Sequence, residues 1–343
     1  MFMKRLYIIT GAKGHLASTI IRYLKDTDCE IRGLILPSEQ GIDHECISYF
    51  KGDISDIKSM QEIFTNLKGY KVVVIHAAGI ISIERKVSPL LNKVNVLGTK
   101  NIITLCLEHH VHKLIYVSSV HAIPEKENLA AIEEVSLFSP DKVTGAYAKT
   151  KAQASQAVLD AVKQGLNAVI VHPSGIIGPY DTGNNHVVQL IKDYIAGKLP
   201  AGVSGGYDFV DVRDVAKGCI ATVEKGEKGE CYILSNRYCT IKELLEIMRF
   251  ALSGPKKICI PLWLAKMVAP LFECFAKITK QRPLFTTYAL YTLGSNGYFL
   301  HDKARKVLGY YPRNIQNTIV DTINWLQGKP LQDKPCCNEN HYD

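Results

Sequence analysis

Nowhere in its 343 residues does the chain pair two of its ten cysteines as Cys-x-x-Cys. The scatter argues against a zinc site and against a disulfide framework; reduced intracellular thiols are the expectation. A dense Lys/Arg block is missing too. The formal net charge of +8 is mild for this length and suits an anionic cofactor as well as nucleic acid, so no nucleic-acid partner is expected. The opening Met1-Phe2-Met3-Lys4-Arg5 runs straight into an apolar stretch, without the pattern of a signal peptide. The most apolar later segment, residues 258–278, is broken by Pro261, Lys266, Pro270, Glu273 and Lys277, which argues against a membrane span. There is no internal repeat and no low-complexity tract. A cytoplasmic protein is the expectation.

What is present is an ordinary globular composition, 47% hydrophobic and 22% charged, long enough for one large domain or two intertwined lobes. Apolar runs at residues 6–10, 30–36, 48–50, 72–76, 113–118 and 168–172 predict strands. Helical-period segments lie between them at 14–25, 57–67, 89–109 and 146–164. Such alternation predicts an α/β fold, a doubly wound parallel sheet with helices on both faces and ligands at the carboxyl ends of its strands. After Gly178-Pro179-Tyr180 the rhythm breaks; strand signals return at 209–211 and 231–234, and residues 241–327 are mostly helical. The expected division is a dinucleotide-binding domain at 1–178 with a return segment at about 209–238. A smaller substrate lobe comprises 179–208 and 239–330, and a flexible tail follows at 331–343.

The run Thr10-Gly11-Ala12-Lys13-Gly14-His15-Leu16-Ala17 joins the first strand to the first helix. A glycine turn there aims bare N–H groups and the positive end of the helix dipole at one spot, which suits a pyrophosphate. Gly11 permits the turn, Gly14 lets backbone approach phosphates, and the small Ala17 lets helix pack on strand. Many glycine turns hold no ligand, so the later residues decide.

Tyr147 and Lys151 lie four apart at the start of a helix and share one face. A tyrosine hydroxyl titrates near 10, roughly three pH units too high for a base at neutrality, and an adjacent ammonium favours the phenolate. Such a pair can move a proton to or from a substrate oxygen, although an isolated one is more often an ordinary surface pair. Around it stand Lys51-Gly52-Asp53-Ile54, His76-Ala77-Ala78-Gly79, Asn95-Val96-Leu97-Gly98-Thr99, Ser118-Ser119 and His172-Pro173-Ser174-Gly175. With these motifs in order, residues 6–327 resemble the extended short-chain dehydrogenase/reductase family of the NAD-dependent epimerase/dehydratase superfamily.

The resemblance implies a Rossmann-type fold with a smaller, mostly helical C-terminal substrate lobe, and a set of roles. Tyr147 is the general acid or base; Lys151 lowers its pKa and holds the nicotinamide ribose. Ser119 hydrogen-bonds the substrate oxygen, Ser118 being one residue deeper in the strand. Gly11, Gly14 and the backbone at His15 and Leu16 hold the pyrophosphate, Asp53 and Ile54 flank the adenine, and Ala77, Ala78 and Gly79 line the ribose side. Pro173 and Ser174 support the nicotinamide. Asn95 holds the cofactor loop or is purely structural. The chain departs from the family at Ala17, where a third glycine is usual.

The second strand ends Leu34-Ile35-Leu36-Pro37-Ser38, without the acid that would bond an NAD ribose 2′-OH. No arginine stands there either. Lys13 and the Ser38 hydroxyl can meet a 2′-phosphate, so the cofactor is NADP or NAD with a lean to NADP. Glu108-His109-His110-Val111-His112 has the look of a metal patch, but cations at a helix C-terminus are favoured anyway and no metal is expected. His121 borders the substrate or is an unremarkable loop histidine.

Three substrate classes compete. The Asp-Glu pair of sugar-nucleotide dehydratases is replaced by Val120-His121-Ala122. A sugar-nucleotide epimerase needs cations for a diphosphate, and residues 180–207 supply only Lys192 and Lys198. The favoured class is a hydrophobic ketone/alcohol pair. The segments Gly205 to Ala216, Arg282-Pro283-Leu284-Phe285-Thr286, Tyr298-Phe299, Lys303-Ala304 and Leu308-Gly309-Tyr310 look like the dihydroflavonol reductase and 3β-hydroxysteroid dehydrogenase branch. The apolar residues 262–275 offer walls for a flat ring system. Epimerase and non-catalytic dinucleotide sensor remain as alternatives; a homodimer is compatible with all three.

Overall fold

The computed structural model describes residues 3–82, 86–183, 185–269 and 287–331. Its strands are β1 (Lys4–Thr10), β2 (Cys29–Ile35), β3 (Ile47–Lys51), β4 (Tyr70–His76), β5 (Lys113–Val117), β6 (Ala168–Pro173), β7 (Gly175–Ile177), β8 (Gly202–Val203), β9 (Gly206–Asp211), β10 (Cys231–Leu234), β11 (Arg237–Thr240) and β12 (Cys259–Ile260). The helices are α1 (His15–Leu24), α2 (Pro89–Asn92), α3 (Thr99–Glu108), α4 (Ala146–Lys163), α5 (His186–Ile195), α6 (Val212–Lys225), α7 (Ile241–Leu252), α8 (residues 262–269), α9 (Thr287–Gly294), α10 (Asp302–Leu308) and α11 (Ile315–Leu326).

Seven strands form one parallel sheet in the order β10-β6-β5-β4-β1-β2-β3. The chain winds outward from β1 to β3, then crosses back to β4 and winds the other way. This reversal between β1 and β4 opens a crevice at their carboxyl ends, with Thr10 in register opposite His76. Alternation along each strand feeds two cores. Leu6, Ile8, Val72, Val74, Leu114, Tyr116, Ala168 and Ile170 face one side, where α3 and α4 pack; Tyr7, Ile9, Val73, Ile75, Ile115, Val117, Val169 and Val171 face the other, under α1 and α6. In α1 the buried positions Leu16, Ala17, Ile20, Ile21 and Leu24 make a single stripe onto the sheet.

Two expected helices differ. Residues 57–67 form two 3₁₀ turns, Ile57–Met60 and Glu62–Phe64, because side chains take over the backbone. Asp56 accepts from the Lys58 N–H, Ser59 donates to the Asp53 and Asp56 carbonyls, and Thr65 donates to the Glu62 carbonyl. The expected helix over 89–109 is interrupted by a widened π turn, Lys93–Gly98, between α2 and α3.

The strand expected at 209–211 is β9, which pairs with β7 and β11 in a separate three-stranded sheet. It leads into α6, whose N-cap Asp211 accepts from the Arg213 N–H. Arg213 is wholly buried; it forks onto Asp211 and reaches Asp321 of α11, both at 2.7 Å, while Arg313 pairs with Asp214 at 2.9 Å. At the far end of α6, Lys113 of β5 donates to the carbonyls of Thr222, Val223 and Gly226. Of the apolar stretch 262–275, residues 262–269 are helical; 270–275, Arg282 to Thr286 and the tail from 332 lie outside the described residues. Among the described residues no helix is long and apolar enough to cross a membrane.

Candidate active site

The ends of β1, β4 and β5 and the start of α4 converge at the crevice. Gly11 holds φ +66°, a conformation that L side chains rarely adopt, and a Cβ there would stand 2.9 Å from the Ala78 Cα. The two strand-end turns are thus in backbone contact. Gly14, the N-cap of α1, has a different reason to be small: a Cβ on it would meet only the Gly11 carbonyl, at 3.1 Å, and otherwise open space. No side chain caps this helix and no acid sits in its first turn. An uncapped positive helix end behind an open glycine fits a pyrophosphate. His15 donates from Nε2 to the Pro179 carbonyl at 2.7 Å, tying the cradle to the chain entering the second lobe; its Nδ1 is buried without a partner. Next to Pro179, Tyr180 is held at φ +72° under the Arg22 guanidinium, a strained conformation for a bulky residue.

A chain of hydrogen bonds sets the floor. Thr99 donates to the Asn95 carbonyl (2.7 Å) and so accepts from His76 Nε2 (3.1 Å). His76 Nδ1 then accepts from the Thr10 hydroxyl (2.7 Å), which itself accepts the Ala78 N–H (3.2 Å). Burial, helped by the nearby Lys151 ammonium, lowers His76 to about 3, and the neutral ring matches this pattern. Asn95 sits in the π turn and clasps Ile80 from both sides, accepting its N–H (2.8 Å) and donating to its carbonyl (2.9 Å), while also donating to Thr150 of α4. A Cβ on Gly79 would meet Asn95 Oδ1 at 3.3 Å and Lys151 Nζ at 3.7 Å, so this loop passes directly beside the lysine.

Tyr147 and Lys151 are buried one turn apart on α4. Lys151 donates to the Val117 carbonyl (2.7 Å) and reaches the Tyr116 hydroxyl (3.4 Å), its ammonium 4.9 Å from the centre of the Tyr116 ring. Burial pushes Lys151 down to about 7. Its hydrogen bonds go to Val117 and Tyr116 and not to the Tyr147 hydroxyl. Burial pushes Tyr147 up to about 12, with the hydrogen-bonded Ser119 hydroxyl pulling the other way. Ser118 is bonded to Ser155 at 2.7 Å, deeper in the core; Ser119 faces Tyr147 and also accepts the His121 N–H at 3.2 Å.

The other candidate positions spread around this centre. Asp53 accepts the Ser55 N–H at 2.8 Å in a turn after β3, and Ile54 packs where a Gly98 side chain would be. Pro173 ends β6; the Ser174 hydroxyl donates to Asp208 at 2.5 Å and the Ser174 N–H to the Leu234 carbonyl at 3.3 Å. Leu16 is buried in the α1 stripe, and Ala77 and Ala78 are half-buried at the crevice. Lys13 is exposed with its ammonium 5.9 Å from the Tyr49 ring centre, and Ser38 is exposed.

The sequence alone does not point to two of the groups here, Glu39 and Tyr116. Glu39 folds back and accepts the Leu36 N–H at 2.8 Å, bringing a carboxylate to the end of β2 where the sequence has no acid. Tyr116 supports Lys151 from below. His121, left open by the sequence, stacks on Tyr207 (5.5 Å, 11°), bonds its hydroxyl at 3.2 Å and meets the Tyr147 ring edge-on at 6.1 Å. Burial lowers His121 to about 4, so it is neutral. His121 and Tyr207 line a cavity of about 160 Å³ together with the apolar Val120, Ile123, Ile132, Val143 and Phe299 and the polar Glu125, Lys142, Thr144, Tyr291, Ser295 and Asn296.

The chain is similar to known proteins over most of its length. The sterol demethylase protein B of Methylococcus capsulatus is 26% identical over 331 residues, 94% of this chain and 99% of that protein. The 3beta-hydroxysteroid-dehydrogenase/decarboxylase isoform 1 of Arabidopsis thaliana is 27% identical, over 97% of this chain and 82% of its own length. The crystal structure of gox2253 superposes with a TM-score of 0.79 at 30% identity, covering 95% of this chain and 98% of that one. Relatives named as dehydrogenases span nearly the whole chain, which supports an oxidoreductase, and the matching family's description supports a nicotinamide cofactor. With the family model matching residues 7–235, the chain belongs to the NAD dependent epimerase/dehydratase family.

Proposed function

We propose that the protein interconverts a hydrophobic cyclic ketone and its alcohol, with a ring system of the 3β-hydroxysteroid or dihydroflavonol type. The observation that carries this reading is the joint burial of Ser119, Tyr147 and Lys151 at the carboxyl edge of the sheet, next to an aromatic-walled cavity. A bound nicotinamide would exchange a hydride with the carbinol carbon, chemistry that the side chains lack. Tyr147 is protonated at neutral pH, as burial dictates, and so donates a proton to a carbonyl oxygen in reduction and recovers it in oxidation. Ser119, hydrogen-bonded to Tyr147, holds that oxygen and stabilises charge developing on it. Lys151 lies beside the Gly79 loop, within reach of a ribose, and its positive charge favours the phenolate when Tyr147 gives up its proton. The stacked His121 and Tyr207 supply a flat wall for the reacting ring.

Sterol and 3beta-hydroxysteroid appear in the names of the relatives, which supports the substrate class. Cofactor choice rests on two opposed groups. Lys13 and Ser38 favour a 2′-phosphate, the basis of the lean to NADP; the Glu39 carboxylate at the end of β2 opposes it. The test is a panel of steroid and flavonoid ketones given to the purified protein with each reduced cofactor. Stoichiometric loss of reduced-cofactor absorbance is the expected result. Turnover of a UDP-sugar without net absorbance change, and no reaction with the ketones, would make the protein an epimerase. Cofactor binding without turnover of any ketone or alcohol would make it a dinucleotide sensor.

A further inference from the structure

The second lobe carries an apolar face that its own core does not use. On α8, Ala265 and Ala269 are wholly buried against Val203 and Leu290, with Leu262 packed on the same cluster. The opposite side of the same helix carries apolar side chains too: Trp263 is 64% exposed and Met267 68%, with Leu264 between them, and Ile258, just before β12 begins, is 70% exposed. A helix with one apolar face packed and a second one exposed has a face in need of a partner. The charge along this stretch of chain is of one sign. Residues 254–269 contain Lys256, Lys257 and Lys266 and no acidic side chain.

We propose that this face docks on an anionic lipid surface, with Trp263, Leu264, Met267 and Ile258 entering the boundary between headgroups and acyl chains and the three lysines pairing with lipid phosphates and carboxylates. Large exposed apolar side chains accompanied by lysines and no acids are what such an interface selects. A second copy of the chain is the poorer occupant, because a two-fold contact through this patch would set three lysines against three lysines. The proposal is independent of the substrate reading, since it concerns adhesion and not turnover.

Vesicle binding tests it with the full chain. Trp325→Phe leaves Trp263 as the only tryptophan, since the chain has two. Vesicles of equal parts phosphatidylcholine and phosphatidylserine should sediment the protein and shift Trp263 emission to the blue; pure phosphatidylcholine should do so weakly, and salt should weaken the anionic binding. Each lysine near such a surface is worth about fivefold in partitioning, so Lys256→Gln, Lys257→Gln and Lys266→Gln together should cost roughly 100-fold. Trp263→Ala should reduce binding at every lipid composition. Absence of binding to either vesicle overturns the proposal, as does equal binding to both with no effect of the lysine changes. A protein that self-associates in solution and becomes monomeric on Trp263→Ala would also overturn it, by assigning the face to a second copy.

Discussion

Replacing Lys151 by methionine should make the cofactor-free protein more stable at neutral pH while removing its activity. Burial lowers this lysine from the 10.5 of a free side chain to about 7. Between those two values the unfolded chain binds a proton that the folded protein does not, so folding stability falls as pH drops from about 10.5 to about 7 and is flat below. At about 1.36 kcal/mol per pH unit the accumulated cost at pH 7 is at most about 5 kcal/mol. Methionine matches the reach of lysine and carries no charge. What it loses is the bond to the Val117 carbonyl, leaving a buried acceptor unpaired at about 1–3 kcal/mol. The difference should leave Lys151→Met ahead by about 2–4 kcal/mol at pH 7, shrinking as pH rises and reversing to a small deficit near the lysine's ordinary pKa. Urea unfolding followed by circular dichroism across that range measures it. A variant equal to or weaker than the parent at pH 7, with a difference that does not change with pH, would refute the reasoning. The functional half is read in the same samples: added cofactor should raise the melting temperature of the parent more than that of the variant if, as proposed, the lysine that burdens the fold also holds the ribose.

Three further outcomes follow from the site. Tyr147→Phe should cut kcat by about 10²–10⁴-fold and leave cofactor affinity nearly unchanged, since the ring remains and only the proton is lost; a fully active variant in steady-state assays would remove Tyr147 from the chemistry. Gly14→Val should fold normally, its backbone at φ −67° and ψ 156° suiting valine, yet lose dinucleotide binding by fluorescence titration, whereas Gly11→Ala should lower the melting temperature through its strained turn. Lys13→Ala should lower, and Glu39→Ala raise, the ratio of kcat/KM for NADP over NAD, measured with both cofactors on one substrate; a ratio unmoved by either change would place the selectivity elsewhere.

The main sheet was legible because its strands are buried on both faces. Runs such as Val72-Val73-Val74-Ile75 have no other stable place in a globule, and the observed ends differ from the expected ones by a residue or two. Periodicity failed where side chains compete with the backbone, as Asp56, Ser59 and Thr65 do at 57–67, and where a helix widens by part of a turn, as at Lys93–Gly98. The glycine turn and the Tyr147/Lys151 spacing are local signals and could be read along the chain. Other parts of the site are made by distant segments meeting. His121 becomes part of the cavity wall through Tyr207, 86 positions away, and no pattern near either residue announces the other. Glu39 was overlooked for the opposite reason: the acid was sought at Leu36 itself, and a carboxylate three residues on bends back to that strand end.

The buried ion pairs that tie α6 to the C-terminal segment decide how the chain can be cut. The family match stops at residue 235, which invites expression of the first two-thirds alone. Such a fragment would keep Arg213 on Asp211 but take away Asp321, 108 positions downstream, and would strip Asp214 of Arg313. Breaking one partner from a buried ion pair costs about 3–5 kcal/mol, a large part of what holds a domain folded. A foldable piece therefore has to reach into α11, and the end of the family-model match and the last of these buried partners lie 86 residues apart, from Ser235 to Asp321.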